Sequence, residues 1–265
     1  MRIRDLAAIV TAALATHVVP ASAQRTGDQA RLVFTVSGAY VSGTGLWHVP
    51  DQPVRGGSFD LSRGIAGRLG GGMAATYYRG DYLGLTADVF AFELAYGDGC
   101  RQVRRADTLN TLACNEIDEA ETGAMAAVIS LGAIFRVASR EVVSPFARVS
   151  AGILISNQSS IETSGTAAIP GAPGGTPPEL IPVYTDSRKS RVGPAFAIGV
   201  GTTTPIGRGF QFRWEVRDNI VGIQQVTGPT AEGDFDPPHG VGFKHLFSVI
   251  AGVDLVLERK PGRRY

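Results

Sequence analysis

Apolar and polar residues alternate with a period of two along most of this chain, the pattern of strands that bury one face. Eight such segments run Arg31–Ser42, Ile65–Tyr78, Tyr82–Leu94, Gly123–Ala138, Ser144–Ser156, Val192–Thr204, Gly209–Asn219 and His245–Glu258. The seventh is the clearest, with Phe210, Phe212, Trp214 and Val216 on one face and Gln211, Arg213, Glu215 and Arg217 on the other. A helix would mix these two sets. In the eighth, Phe247, Val249, Ala251, Val253, Leu255 and Leu257 oppose Ser248, Ile250, Gly252, Asp254 and Val256. In the third, Phe90 and Phe92 fall on the polar side, which predicts a bulge or the end of that strand.

The connections between segments alternate strictly between long and short. Gly43–Gly64, Ala95–Thr122, Asn157–Arg191 and Ile220–Lys244 are long, whereas the links at Arg79–Asp81, Arg140–Glu141 and Pro205–Arg208 are short. That asymmetry predicts an all-β fold, an eight-stranded antiparallel up-and-down transmembrane β-barrel with tight turns at the periplasmic rim and four long outer loops. Pro170, Pro173, Pro177 and Pro178 predict a mobile third outer loop.

Alternation alone does not say which face looks outward, since a soluble lipocalin-like ligand carrier alternates too. Two features favour lipid outside. The polar face carries isolated charges, Arg68, Asp88, Arg136, Arg148, Arg213, Glu215, Arg217 and Asp254, which suit an interior ion-pair network. The apolar face gathers Tyr40, Tyr77, Phe135, Phe210, Trp214 and Phe247, several near strand ends, as aromatic girdles require. An eight-stranded cylinder is filled by its own side chains, so a wide diffusion pore is not expected.

The N-terminus reads as an export signal. Arg2 and Arg4 precede an apolar run from Leu6 to Val19, then Pro20 and Ala21-Ser22-Ala23. A signal peptide over residues 1–23 leaves one barrel domain over 24–265, and removing Arg2, Arg4 and Asp5 takes 25 basic and 24 acidic side chains to 23 of each. A formally neutral chain offers no polybasic surface for nucleic acid. No later apolar stretch reaches transmembrane-helix length, so any crossing falls to strands. Cys100 and Cys114 sit in one polar segment of an exported chain, which predicts a disulfide rather than a metal site.

This arrangement resembles the small eight-stranded outer-membrane barrels typified by the OmpA transmembrane domain and OmpX. The most specific piece is the last strand, Gly252-Val253-Asp254-Leu255-Val256-Leu257, which looks like the signal by which barrel-assembly machinery recognises its substrates. Here Glu258–Tyr265, with Lys260, Pro261 and three Arg counting Arg259, replaces the immediate aromatic terminus. The resemblance implies outer-membrane lipid and the assembly machinery as partners, no cofactor, and a structural or surface-interaction role with the extracellular ligand unspecified. Lipid-modifying enzymes also occur on such barrels, and His48 and His239, with Asp234 and Asp236 nearby, are the residues that the first and fourth outer loops would have to bring together for catalysis.

Overall fold

A computed structural model describes residues 31–104, 107–137, 142–167, 179–186, 191–207 and 209–258. The export signal, the proline-rich part of the third loop and the C-terminal tail lie outside the described residues. The elements are β1 (Arg31–Gly43), β2 (Gly45–Val54), β3 (Gly57–Ala66), β4 (Arg68–Tyr78), β5 (Leu83–Arg104), α1 (Thr108–Glu119), β6 (Glu121–Arg136), β7 (Ser144–Ser156), β8 (Thr163–Ala167), β9 (Glu179–Tyr184), β10 (Arg191–Gly207), β11 (Phe210–Val226) and β12 (His239–Glu258).

Eight strands close a ring in the order β1–β4–β5–β6–β7–β10–β11–β12, with β12 returning antiparallel to β1. All eight correspond to the alternating segments of the sequence. Closure leaves no free sheet edge, the condition for strands to stand in a hydrocarbon layer. The second segment, read as continuous from Ile65, is divided: Ile65 and Ala66 belong to β3 and the barrel strand begins at Arg68.

The exterior is apolar and exposed: Val36, Leu69, Met73, Leu85, Val89, Leu131, Val149, Ile198, Val200, Val249 and others face outward. Tyr77, Tyr82, Phe135 and Phe210 ring its lower end, and Tyr40, Phe196, Phe243 and Phe247 its upper end. Tyr77 lies opposite Leu32 and Tyr40 opposite Leu69. The stretch from Leu32 to Tyr40 spans roughly 27 Å of strand, or about 21 Å along the axis at a tilt of ~40°, close to the thickness of an apolar barrel band. Of the described helices none is long and apolar enough to cross a membrane.

Phe90 and Phe92 correct one expectation. The ladders of β5 with β4 and β6 run through them without interruption, so there is neither bulge nor strand end. Both rings point into the lumen, where Gly72 and Gly70 make room: a Cβ on either glycine would come within 2.9 Å of Phe90 or 2.8 Å of Phe92.

The outer loops are far more ordered than connecting segments require. β2 and β3 form a hairpin whose two-residue turn, Arg55-Gly56, has positive φ at both positions, as a type I′ turn demands. α1 starts where the Asp107 carboxylate accepts from the Asn110 N–H at 2.7 Å and buries Asn110, Ala113, Cys114 and Ile117. Cys100 and Cys114 form a disulfide that ties α1 to the upper part of β5. β8 and β9 form a second hairpin against α1.

One hydrophobic core runs from the upper lumen (Phe90, Phe92, Leu154, Leu246, Ile250) into this lid (Trp47, Phe59, Leu61, Ile117, Ile161, Tyr184, Ile223). Buried polar side chains join the loops. Gln52 accepts from the Tyr184 hydroxyl and the Thr230 N–H, both at 2.9 Å, and Asn110 Nδ2 donates to Val54 O at 2.9 Å. The Trp47 indole donates to Ser160 O at 3.0 Å.

Two outcomes are expected. The disulfide closes a loop of 14 residues, worth about 3 kcal/mol in the chain-entropy account. A Cys100→Ser/Cys114→Ser protein should therefore be cut by protease within 105–120 while its barrel still resists heat and detergent on gels. On the exposed side of β3, Asp60 accepts from the Asp51 N–H at 2.9 Å and pairs with Arg101. That backbone bond first, and Arg101 second, hold its carboxyl below the ordinary 3.8. A depressed value means the contribution is complete above the ordinary carboxylate range and is lost as pH falls through the folded value. Amide exchange at Asp51 should accelerate on acidification below about pH 4 in the wild type, and be fast but pH-flat, after correction for intrinsic rates, in Asp60→Asn.

Candidate functional site

Alternation sends every second side chain of the ring into a narrow lumen, and six of the eight charged positions read from the sequence meet there. Arg217, from β11, reaches Asp88 of β5 at 3.0 Å and Glu215 at 2.8 Å. Arg148, from β7, lies 3.2 Å from Asp88 and 3.8 Å from Glu215. Arg213 lies 3.1 Å from Glu215 and 3.8 Å from Asp254 of β12, and Asp254 also accepts from the Thr35 hydroxyl at 2.7 Å. Ser130 donates to Asp88. Three guanidinium groups thus face three carboxylates, with Glu215 touched by all three and wholly buried.

The other two positions depart from that expectation. Arg68 stands at the upper rim, where it pairs with Glu121 at 2.6 Å and Glu93 at 3.8 Å. It is the first residue of β4, above the closed part of the lumen, so its long side chain reaches the acidic rim instead of the network. Arg136 is buried but meets no carboxylate of the cluster, and its guanidinium lies 3.9 Å from the Tyr78 ring centre. It joins a lower apolar plug of Val33, Tyr78, Ile134 and Phe146, over whose Phe146 ring Arg213 stacks at 4.2 Å.

The lumen is therefore filled in three tiers: the aromatic plug, the charge cluster and the Phe90–Phe92 layer. Beside the cluster there remains a void of about 10 Å³, the room of about one water. Gly199 makes room for the cluster, since a Cβ there would meet Glu215 Oε1 at 2.6 Å. Buried charges are costly unless each finds its counter-ion, and this set does. The arrangement fills the middle of the lumen with mutually paired charge.

In the last strand, Leu255 and Leu257 face outward while Gly252 faces inward against β1, where a Cβ would meet Val36 O at 2.6 Å. His239 turns Nδ1 to Pro237 O at 2.9 Å, and among the described residues neither it nor His48 bonds or pairs with Asp234 or Asp236. His245 pairs with Asp218 at 2.7 Å on the barrel exterior.

Alternation gave no access to the lid, which holds the larger cavities. A polar crevice of about 480 Å³ lies between Arg63, Asp98, Thr122, Gln158, Asp186 and Arg191. Its floor is Arg63, nearly inaccessible, which holds Asp98 through two bonds of 2.5 and 2.7 Å and donates to Glu162 O at 2.8 Å. Trp47 and Tyr96 stack on the same guanidinium at 5.4 and 5.3 Å. A second groove of about 340 Å³ at the outer tip is lined by Pro53, Val54, Leu180, Ile181, Pro182 and Phe235. These residues come from three separate loops, so no local motif announces either site.

No family model matches the chain, nor does any curated protein. Among solved structures, it is similar to Neisserial surface protein A at 12% identity, over 85% of this chain and 96% of that one, with a TM-score of 0.43. Outer membrane protein OprG from Pseudomonas aeruginosa aligns at 10% identity, over 87% and 97%, with a TM-score of 0.48. Outer membrane protein AlkL aligns at 14% identity, over 93% and 98%, with a TM-score of 0.41. The structural neighbours are thus small outer-membrane β-barrels.

Glu215→Gln keeps the shape of the central carboxylate but leaves three arginines facing two acids. It should destabilise the folded barrel by about 3–5 kcal/mol, whereas Thr35→Val, which removes one hydrogen bond, should cost about 1–2 kcal/mol. Urea midpoints of tryptophan fluorescence, measured in detergent, compare the two.

Proposed function

We propose that this protein is exported by its N-terminal signal to the bacterial outer membrane, where the closed barrel anchors a rigid surface platform with a structural or surface-interaction role. The observation that carries this reading is the continuity of the core: the lumen is plugged, and the same packing extends upward to join residues of all four outer loops in one lid. A barrel built for diffusion would leave its axis open, whereas this one uses its axis as a foundation. Outer-membrane lipid is the partner of the apolar exterior. The assembly machinery is the partner of the last strand, with Leu255 and Leu257 presented on its outer face. The apolar groove at the tip, with Leu180 and Phe235 exposed, offers the surface at which an extracellular partner would dock.

The two tryptophans test the membrane placement. Trp214 is 46% exposed on the barrel wall and Trp47 only 7% within the lid. In bilayers of lipid brominated on the acyl chains, Trp47→Phe, which reports Trp214 alone, should be strongly quenched, and Trp214→Phe should be nearly unaffected. Equal quenching of both, or a protein that stays soluble without detergent, would overturn the reading. Planar-bilayer recordings should show no wide, steady conductance.

A further inference from the structure

The groove at the outer tip runs between two strand edges, those of β2 and β9. Each of these strands has one ladder partner, β3 for β2 and β8 for β9. Side chains bridge the two edges at both ends: Arg55 pairs with Glu179 near the tip, and the Tyr184 hydroxyl donates to Gln52 at the base. Antiparallel strands alternate between residues whose backbone groups meet the partner and residues whose groups turn away from it, so the two ladders determine what each edge offers.

The β2 edge offers almost nothing. Val54 and Gly57 flank the two-residue turn and face each other, which turns the backbone groups of Pro53 outward. Pro53 has no N–H, and its carbonyl accepts from the Gln52 side chain at 3.0 Å. The β9 edge is open. Thr166 of β8 gives its N–H to the Glu116 carboxylate of α1, so the pair it makes with Leu180 is one whose backbone groups turn apart, and the Leu180 N–H and C=O face away from β8. Two residues on, the Pro182 carbonyl turns the same way. Lower on this edge the Thr185 N–H donates to Phe235 O at 2.8 Å, and Phe235 closes the groove at that end. Among the described residues no bond from outside the β8–β9 hairpin reaches the Leu180 backbone.

We infer that this groove takes an extended segment of another protein, added to the edge of β9 through Leu180, with apolar side chains at alternate positions and a basic residue against the rim. The inference rests on the reading of the lid as a docking platform and names the kind of partner. Unpaired N–H and C=O groups beside apolar surface are met by another extended backbone, and Pro53, Val54, Ile181 and Phe235 supply the apolar wall. Charge supplies the rest. Glu179, Glu232 and Asp234 line the groove against one base, Arg55, which Glu179 already holds. Glu232 and Asp234 accept from the backbone N–H groups of Gly56 and Asp236 and pair with no cation among the described residues. A second copy of this chain would bring the same acids against these, so the occupant is a different, basic partner.

Fluorescent heptapeptides, added to the full mature chain in mild detergent and read by anisotropy, test this. The probe is a pool with lysine at the second and sixth positions, valine, isoleucine, leucine or phenylalanine at the third and fifth, and serine elsewhere. One control pool replaces lysine by glutamate, and another carries N-methyl groups at the three central peptide bonds. The wild type should bind the probe at least tenfold more tightly than either control. Leu180→Pro removes the outward N–H at an edge position that proline tolerates, and should weaken probe binding at least tenfold with wild-type heat-modifiable migration. Glu232→Gln/Asp234→Asn should abolish the preference for lysine over glutamate. Equal binding of the three pools by the wild type, or none, would overturn the inference, as would undiminished binding by folded Leu180→Pro. Wild-type dimers lost in Leu180→Pro would give the edge to a second copy and overturn it too. Failure of the Trp214 quenching would instead remove the membrane-anchored platform while leaving the measured peptide preference in place.

Discussion

A chain that stands in hydrocarbon must pair its own backbone groups, and it must keep charge out of the surrounding solvent. Closing β12 onto β1 meets the first demand by leaving no edge. The pleat meets the second by sending successive side chains to opposite sides of the wall. Everything else in the molecule is arranged around these two facts. Apart from the His245–Asp218 pair at the upper aromatic ring, the exterior of the wall is mostly aliphatic and aromatic, and the narrow interior absorbs the charge cluster.

The interior then faces the converse difficulty. Arginines and acids withdrawn from water repay their desolvation only with close partners, and here four strands of the ring, β5, β7, β11 and β12, contribute to a single knot centred on Glu215. Small residues on the facing strands are part of that knot. Gly199 leaves space for Glu215 and for the Arg148 side chain, and Gly201 accommodates Phe146. Filling the lumen in this way excludes a water column, and it sets a stiff floor for the packing above.

The barrel was legible because period-two alternation and the rhythm of long and short connections are both local signals. Lumen membership was legible for Asp88, Arg148, Arg213, Glu215, Arg217 and Asp254 from the same parity. Parity says which way a side chain starts, not where a long one ends, which is why Arg68 was assigned inward although its guanidinium reaches Glu121 at the rim. Parity alone makes Phe90 and Phe92 look like a break, because the glycines that make room for them, Gly70 and Gly72, lie on the neighbouring strand β4. The lid was the larger omission. Asn110, Ala113, Cys114 and Ile117 fall at i, i+3, i+4 and i+7, a helical stripe to which a period of two is blind. The crevice and the groove are assembled from residues far apart in the chain, and only the pairing of strands brings them together.

The lid also depends on the whole of the ring beneath it. Gln52, contributed early in the chain, bonds Thr230 across 178 residues and Tyr184 across 132, and Trp47 reaches Ser160 across 113. Each of these contacts joins loops carried by strands far apart in the chain, so the outer platform is held across the ring and not within any one connection. The shape of the lid is therefore a property of the closed ring as a whole: loosening any one strand would be felt by loops that the chain itself keeps more than a hundred residues apart.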